Sequence, residues 1–311
     1  GFPSICRTKK RVASVNPWRQ PACLSFVEVP MRFGQPSAEI FVPDNLPAEE
    51  ALARTTHLAI SAHQDDIEIM AASPILDCFQ NEKNWFTAVV VSDGRGSPRN
   101  GLYEKYDDEQ MRLVRFKEQR KAAIVGEYAA LVMLDHPSKS IKSSSEQPVE
   151  DLAAILKTAQ PRFVFTHNFA DKHDTHIGTA RKVIKAIRCL PKNVRPQKLF
   201  GCEVWRDLDW MVDEDKVPFD LSNQENLQSA LLGVFDSQIS GGKRYDLASL
   251  ARRKANATYF ESHGVDTLTG MSFGMDMTAL IQNDEMEINS FIQEHISRFS
   301  QDVASRLNRV G

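Results

Sequence analysis

The residues best suited to chemistry in this chain lie in Ser61-Ala62-His63-Gln64-Asp65-Asp66. His63 and Asp66 are three apart, with Asp65 between them. A turn that leads into a helix can aim His63 and Asp66 at one metal ion and leave Asp65 free beside it. A second polar cluster reads Asp171-Lys172-His173-Asp174-Thr175-His176. Imidazole and carboxylate are the usual ligands of a hydrolytic divalent metal, so two such clusters that converge would make a metal site of the catalytic kind.

Both clusters need a scaffold that brings them together. Thr56-His57-Leu58-Ala59-Ile60 precedes the first and Arg162-Phe163-Val164-Phe165-Thr166-His167 precedes the second. Each is a short β-rich apolar run, as expected of a strand buried on both faces. Trp85 to Val91 and Ala129 to Leu134 are two more such runs. Between them lie helix-compatible stretches at about 67–79, 105–126, 151–156 and 178–187, with Gly126 as a helix stop. This alternation over about 55–190 predicts an α/β fold: a Rossmann-like, mostly parallel sheet with helices on both faces. In such sheets ligands sit at the C-terminal ends of the strands, where both clusters fall. Further on, a strand is expected at 198–205 and helices at 221–238, 246–260 and 284–307. Neither a repeat nor a linker divides the chain, so a single domain over 1–311 is expected, with its motif-bearing core at 55–190 and an extension at 191–311.

Size and composition narrow the function classes. The chain has 311 residues, 42% hydrophobic and 25% charged, which suits a globular protein with a sizeable core. A net charge of −3 gives no electrostatic case for nucleic acid as the main partner. The basic run Arg7 to Arg11 reads as a solvated arm. Five scattered cysteines without a CxxC argue against a disulfide scaffold and fit a reducing compartment. A cytoplasmic location is therefore expected, with a removed signal peptide left open. No apolar run approaches the roughly 20 residues of a membrane span. The loop Ser92-Asp93-Gly94-Arg95-Gly96 has neither GxxxxGK[ST] nor GxGxxG spacing, so nucleotide cradling is disfavoured.

The two clusters, in this order and separation, resemble the LmbE-like or PIG-L family of metal-dependent N-deacetylases. The family's A-H-P-D-D is seen as Ala62-His63-Gln64-Asp65-Asp66, and its H-x-D-H as His173-Asp174-Thr175-His176. A strand ending in T-D-G is seen as Ser92-Asp93-Gly94. R-x-x-E followed by A-A-x-x-L-G is seen from Arg115 and Glu118 through Ala122-Ala123 to Gly126, and R-P-D-x-V-x-T as Gln160 to Thr166. The resemblance spans about 55–190. It implies a zinc ion on His63, Asp66 and His176, with another divalent ion such as Fe2+ admissible. It implies Asp65 as general base toward metal-bound water and His173, as imidazolium, steadying the tetrahedral oxyanion. Arg115 and Asp93 would contact substrate. The implied reaction removes an acyl group, acetyl first, from the amine of a sugar-like substrate: a small N-acyl amino sugar such as an N-acetylglucosamine derivative, or a glycoconjugate. The alternatives are a metal-dependent hydrolase of a non-sugar amide, or a metal-binding protein that has lost catalysis. Oligomeric state, homo-oligomer included, stays open.

Three departures from the family pattern stand out. Gln64 replaces Pro, which is expected to loosen the turn. Ile67 stands where a Glu follows the two Asp, a support that Glu68 could take over. Thr175 replaces the Asp between the two His, which would weaken His173 unless Asp171 or Asp174 substitutes. Of the other histidines, His57 reads as a core residue; His136 and His167 lie at strand ends, near enough to the clusters to be rim residues, with a structural role the default; and His263 reads as a helix-end cap or a residue reaching the pocket. Trp205, Trp210, Phe219 and Phe235 could offer stacking faces to a sugar, but core packing is their default reading. Specificity loops are expected at 94–110, 136–148 and 205–245.

Overall fold

The strands that carry the two clusters lie side by side at the middle of one eight-stranded sheet. The computed structural model describes residues 31–310; the basic run at 7–11, Cys6 and Cys23 fall outside them. The strands are β1 (Glu39–Phe41), β2 (His57–Ser61), β3 (Phe86–Ser92), β4 (Ala130–His136), β5 (Phe163–His167), β6 (Lys198–Cys202), β7 (Lys216–Asp220) and β8 (Met271–Asp276). Their order is β1-β4-β3-β2-β5-β6-β8-β7. β4, β3, β2, β5 and β6 run parallel, while β1, β8 and β7 join antiparallel at the edges. Every residue of β2, β3 and β4 is buried, as their continuous apolar runs require.

From β2 the chain winds outward through β3 to β4, then returns to place β5 on the other side of β2. The order reverses between β2 and β5. The loops after these two strands diverge to opposite faces there and leave a crevice at their C-terminal ends.

The helices are α1 (Ala48–Ala53), α2 (Asp66–Met70), α3 (Ala72–Cys78), α4 (Asp108–Val125), α5 (Ser138–Ile141), α6 (Gln147–Ala159), α7 (Asp174–Arg188), α8 (Glu225–Gly233), α9 (Asp236–Ile239), α10 (Tyr245–Tyr259), α11 (Thr278–Gln282) and α12 (Ile288–Val310). Helices α2, α3, α4 and α8 bury Ile67, Ile75, Phe116 and Leu231 in one cluster against β2, β3 and β4, with α10 packed on α8 and β8. α6 and α7 pack together on the other face. From Phe33 to Val310 the chain forms one compact unit, in which β6, β8 and β7 extend the same sheet. Among the described residues no helix is long and apolar enough to cross a membrane.

Three elements differ from expectation. The helix expected at 67–79 is two, broken at Ala71 (φ −120°, ψ 35°), and Pro74 sits harmlessly in the first turn of α3. The helix expected from 221 begins at Glu225, because Leu221 is still bonded to the Gly270 carbonyl beside β8. The strand expected to reach 205 ends at Cys202, where Val204 turns to bond Asp171.

Candidate active site

The turn after β2 is held by its own side chains. Asp66 Oδ2 accepts the His63 backbone N–H at 2.8 Å, and Ser61 Oγ donates to the His63 carbonyl at 2.9 Å. Asp65 has φ +88°, a strained value for a residue with a Cβ. It persists because α4 fixes the turn from the side. Gln119 Oε1 accepts the Asp65 N–H at 3.2 Å, and Arg115 donates to the Gln64 carbonyl. Gln119 is itself held by Glu68 Oε1 at 2.7 Å, which also takes the Tyr128 hydroxyl at 2.7 Å. Glu68 does supply the support that Ile67, now a core residue, cannot.

Gln64 does the opposite of what was expected. It is fully buried and donates from Nε2 to the Ser92 carbonyl at 3.2 Å, tying the turn to the end of β3. The approach is close enough that a Cβ on Gly94 (φ +70°) would strike the Gln64 side chain. Gln64 thus fastens the turn through its side chain, as a proline cannot.

At the crevice His63 Nδ1, Asp66 Oδ2 and His176 Nε2 form a triangle with edges of 3.2, 3.3 and 3.2 Å. For zinc held tetrahedrally at roughly 2.0–2.1 Å, donor atoms lie about 3.3 Å apart. The donor set therefore fits a divalent metal in chemistry and spacing. Asp171 Oδ2 accepts from His176 Nδ1 at 3.1 Å, which fixes the ring so that Nε2 is the nitrogen facing the triangle. His167 is closer to this centre than its structural reading suggested. Its Nε2 is 3.4 Å from Asp66 Oδ2, and its ring stacks on His176 with centroids 3.9 Å apart. That nitrogen already accepts the Ala62 N–H at 2.8 Å, so its lone pair is committed to the backbone. His167 is for that reason a poorer candidate donor than His63. In the sequence His167 gave one signal only, its place as the last residue of a central strand.

The charges of the site work against one another. Burial raises the Asp65 carboxyl, and neighbouring Asp66 adds to this, against the pull of Arg115. Burial also opposes the Asp66 charge, but the surrounding imidazoles, His176 first, outweigh it and hold that carboxyl well below its usual range. Two adjacent carboxylates are thus split in basicity, with Asp66 the anion and Asp65 the better proton acceptor. Arg115 is 1% exposed, with Nη2 3.4 Å from Asp65 Oδ2.

His173 is arranged differently from the imidazolium expected. Its Nδ1 accepts the Thr175 N–H at 3.3 Å, so the neutral ring carries its proton on Nε2. Its pKa is lowered, first by burial and then by His63 and His176. Asp171 does not replace the missing Asp at Thr175: its side chain serves His176 and reaches only the backbone N–H of His173 at 3.2 Å. Asp174 is exposed. His173 is therefore a neutral donor through Nε2–H.

These residues line a cavity of about 450 Å3 that includes His63, Asp65, Asp66, Arg115, His173 and His176. Pro98, Lys142, Trp205 and Tyr245 bring in each of the three loops expected to set specificity. Asp93 is not brought there. It is 6% exposed, and its carboxylate binds the Arg95 backbone N–H and Nε, both at 3.1 Å. His136 is fixed to Asp151 at 2.8 Å, His57 packs on Phe163, and His263 is exposed outside the cavity. Phe219 packs on Phe165 and Phe200, and Phe235 is buried.

A Rossmann-like sheet with a two-His, one-Asp centre at its switch point is the class of protein this geometry defines. Residues 58–187 match the PIG-L family model, described as GlcNAc-PI de-N-acetylase. No curated protein matches in sequence. Among solved structures, N,N'-diacetylchitobiose deacetylase from Pyrococcus horikoshii is similar, with a TM-score of 0.58, 16% identity, and 74% of this chain and 86% of that chain covered. The conserved protein TT1542 from Thermus thermophilus is similar with a TM-score of 0.57, 16% identity and coverage of 72% and 94%. GalB, the 4-carboxy-2-hydroxymuconate hydratase from Pseudomonas putida, is similar with a TM-score of 0.57, 15% identity and coverage of 72% and 96%. A deacetylase and a hydratase share this fold, so the fold by itself does not choose the reaction.

Proposed function

We propose that the protein is a divalent-metal-dependent hydrolase that removes an acyl group, acetyl first, from the amine of a sugar-like substrate. The observation that carries this reading is the triangle of His63 Nδ1, Asp66 Oδ2 and His176 Nε2 in a cavity that also holds Asp65 and His173. The match of residues 58–187 to the PIG-L family supports the same class of reaction.

His63, Asp66 and His176 would hold the metal, zinc being the expected ion and Fe2+ the alternative for this ligand set. When bound, such an ion supplies Lewis-acid polarisation of the amide carbonyl and a more acidic water. Asp65 takes the proton of the attacking water, a role favoured by its raised pKa. It returns that proton to the nitrogen as the C–N bond breaks, so carboxylate and free amine leave together. The Nε2–H of His173 donates to the carbonyl oxygen as negative charge builds there. Arg115 holds Asp65 and the Gln64 carbonyl, and thereby fixes the base.

The test is metal content together with turnover on N-acetylglucosamine derivatives. The expected result is about one zinc per chain in the wild type and none in a His63→Ala, Asp66→Ala variant. Asp65→Asn should keep its metal and lose roughly 10²–10⁴-fold in kcat. Full turnover in Asp65→Asn would remove the base from the mechanism. A metal-loaded wild type inert toward every acetylamino sugar and amide would leave a binding protein.

A further inference from the structure

We infer that the substrate is an extended glycan rather than a single sugar, and that a second, aromatic groove beside the catalytic cavity holds its further rings. This rests on the reading that an N-acyl amino sugar occupies the cavity. The groove has a volume of about 730 Å3, within the range of about 300–1,000 Å3 usual for ligand sites. It shares Trp205 with the catalytic cavity, so the two lie against the same indole. Four aromatic side chains line it: Trp205, Trp210, Tyr259 at the end of α10, and Phe299 of α12. Asp209 and Asn256 stand among them.

Trp210 and Trp205 are half-buried and held by their neighbours, and Tyr259 stands in water. Trp210 Nε1 donates to Glu203 Oε1 at 2.9 Å, while Glu203 Oε2 takes the Leu208 N–H at 2.6 Å. Trp205 has the Lys243 ammonium 4.9 Å from its ring centroid and the Tyr245 ring edge-on at 5.9 Å. Tyr259 is 81% exposed, although folding alone would favour covering so large a ring. A pyranose presents apolar C–H faces and a rim of hydroxyls. Aromatic planes suit the faces, and the carboxylate and amide suit the rim. Asp207, Arg206 and Lys172 in the same lining disfavour an acyl chain, which would leave those charges without water. Apart from Lys172, the residues that line the groove lie between 205 and 299, outside the span that matches the PIG-L family.

The experiment compares N-acetylglucosamine with its β-1,4-linked dimer, trimer and tetramer on zinc-loaded wild type, Tyr259→Ala and Trp210→Ala. Deacetylation is read as kcat/KM, and binding by tryptophan fluorescence in metal-free protein. The wild type should prefer the tetramer over the monomer by about tenfold or more, the scale of one or two aromatic contacts. In each variant that ratio should fall towards one. Tyr259→Ala alters an exposed side chain, so it remains informative if Trp210→Ala fails to fold. Equal kcat/KM for all lengths, or a preference untouched in both variants, would overturn the groove assignment. If no sugar of any length is hydrolysed, the deacetylase reading falls and fluorescence decides the groove alone. Tighter binding of tetramer than monomer, weakened in Tyr259→Ala, sustains it; no such difference ends it.

Discussion

Asp171 accepts a hydrogen bond from His176 Nδ1 at 3.1 Å, and so decides which nitrogen of His176 faces Asp66 and His63. The same carboxylate takes the Val204 N–H at 3.2 Å, which couples the end of β6 to the orientation of His176. Removing it leaves the ring free to rotate or change tautomer. Asp171→Ala should bind zinc about 10–100-fold more weakly than wild type. Competition against a chromophoric chelator measures this directly. Unchanged affinity would mean that packing against His167 orients the ring by itself.

Arg253 reaches the catalytic turn from α10. It is 3% exposed, and its Nη2 donates to the Glu68 carbonyl at 2.7 Å at the C-terminal end of α2. Nη1 donates to Gln228 Oε1 at 3.0 Å. Burial lowers its pKa to about 10, still charged at neutral pH, and the negative end of α2 is its complement. Arg253→Met keeps much of the volume and strips the carbonyls of their partner, at about 1–3 kcal/mol for each buried group left unpaired. Thermal unfolding should detect the loss. Turnover should fall as well, since α2 begins with Asp66, whereas KM for a short substrate should change less.

The parts of this molecule that were legible in the sequence are those with a local signature. The buried strands β2 to β5 are continuous apolar runs, and Asp107 with Gln110 closes a capping box at the start of α4. The spacing and family pattern of His63, Asp66 and His176 singled out side chains that the fold brings within 3.3 Å of one another. What escaped depends on distant pairing. β8 shows no apolar alternation that separates Met271-Ser272-Phe273-Gly274-Met275-Asp276 from a loop, and it becomes a strand because β6 and β7 pair with its two edges. β7 carries Pro218, which demotes a strand in sequence but is tolerated at the sheet's edge. Asp93 matched a motif, yet Arg95, two residues on, claims its carboxylate. Arg253 looked like one more charge on a basic helix, and only tertiary packing reveals where it goes.

Gly94 marks where the loop after β3 passes the loop after β2. With φ +70° and the Gln64 side chain against its Cα, alanine there meets both backbone strain and a clash. Gly94→Ala should cost more than about 1 kcal/mol, beyond the usual penalty for a positive φ alone. The clash falls on the turn that carries Asp65, so kcat should drop further than an equal loss of stability at a remote site would cause. Chemical denaturation paired with turnover separates the two. A variant as stable and as active as wild type would show that Gln64 can withdraw freely.

His57 sets an acid limit on stability. It opens β2, 7% exposed, with Nδ1 2.9 Å from Thr56 Oγ1 and its ring against Phe163. Burial, helped by Arg162, lowers its pKa from 6.5 to about 4. The folded value lies below the unfolded one, so between these two pH values the unfolded chain binds the extra proton. The neutral ring's contribution is therefore complete above pH 6.5 and is lost as pH falls towards 4. A shift of this size corresponds to a loss on the order of 2–3 kcal/mol across that window. His57→Leu removes the titration and leaves the His63–Asp66 turn beyond the other end of β2 in place. The stability of wild type should fall more steeply than that of His57→Leu from pH 6.5 to 4, and the two should run parallel from about 7 to 8. Parallel curves over the whole range would mean that the ring takes up its proton as readily in the folded protein as in the unfolded chain.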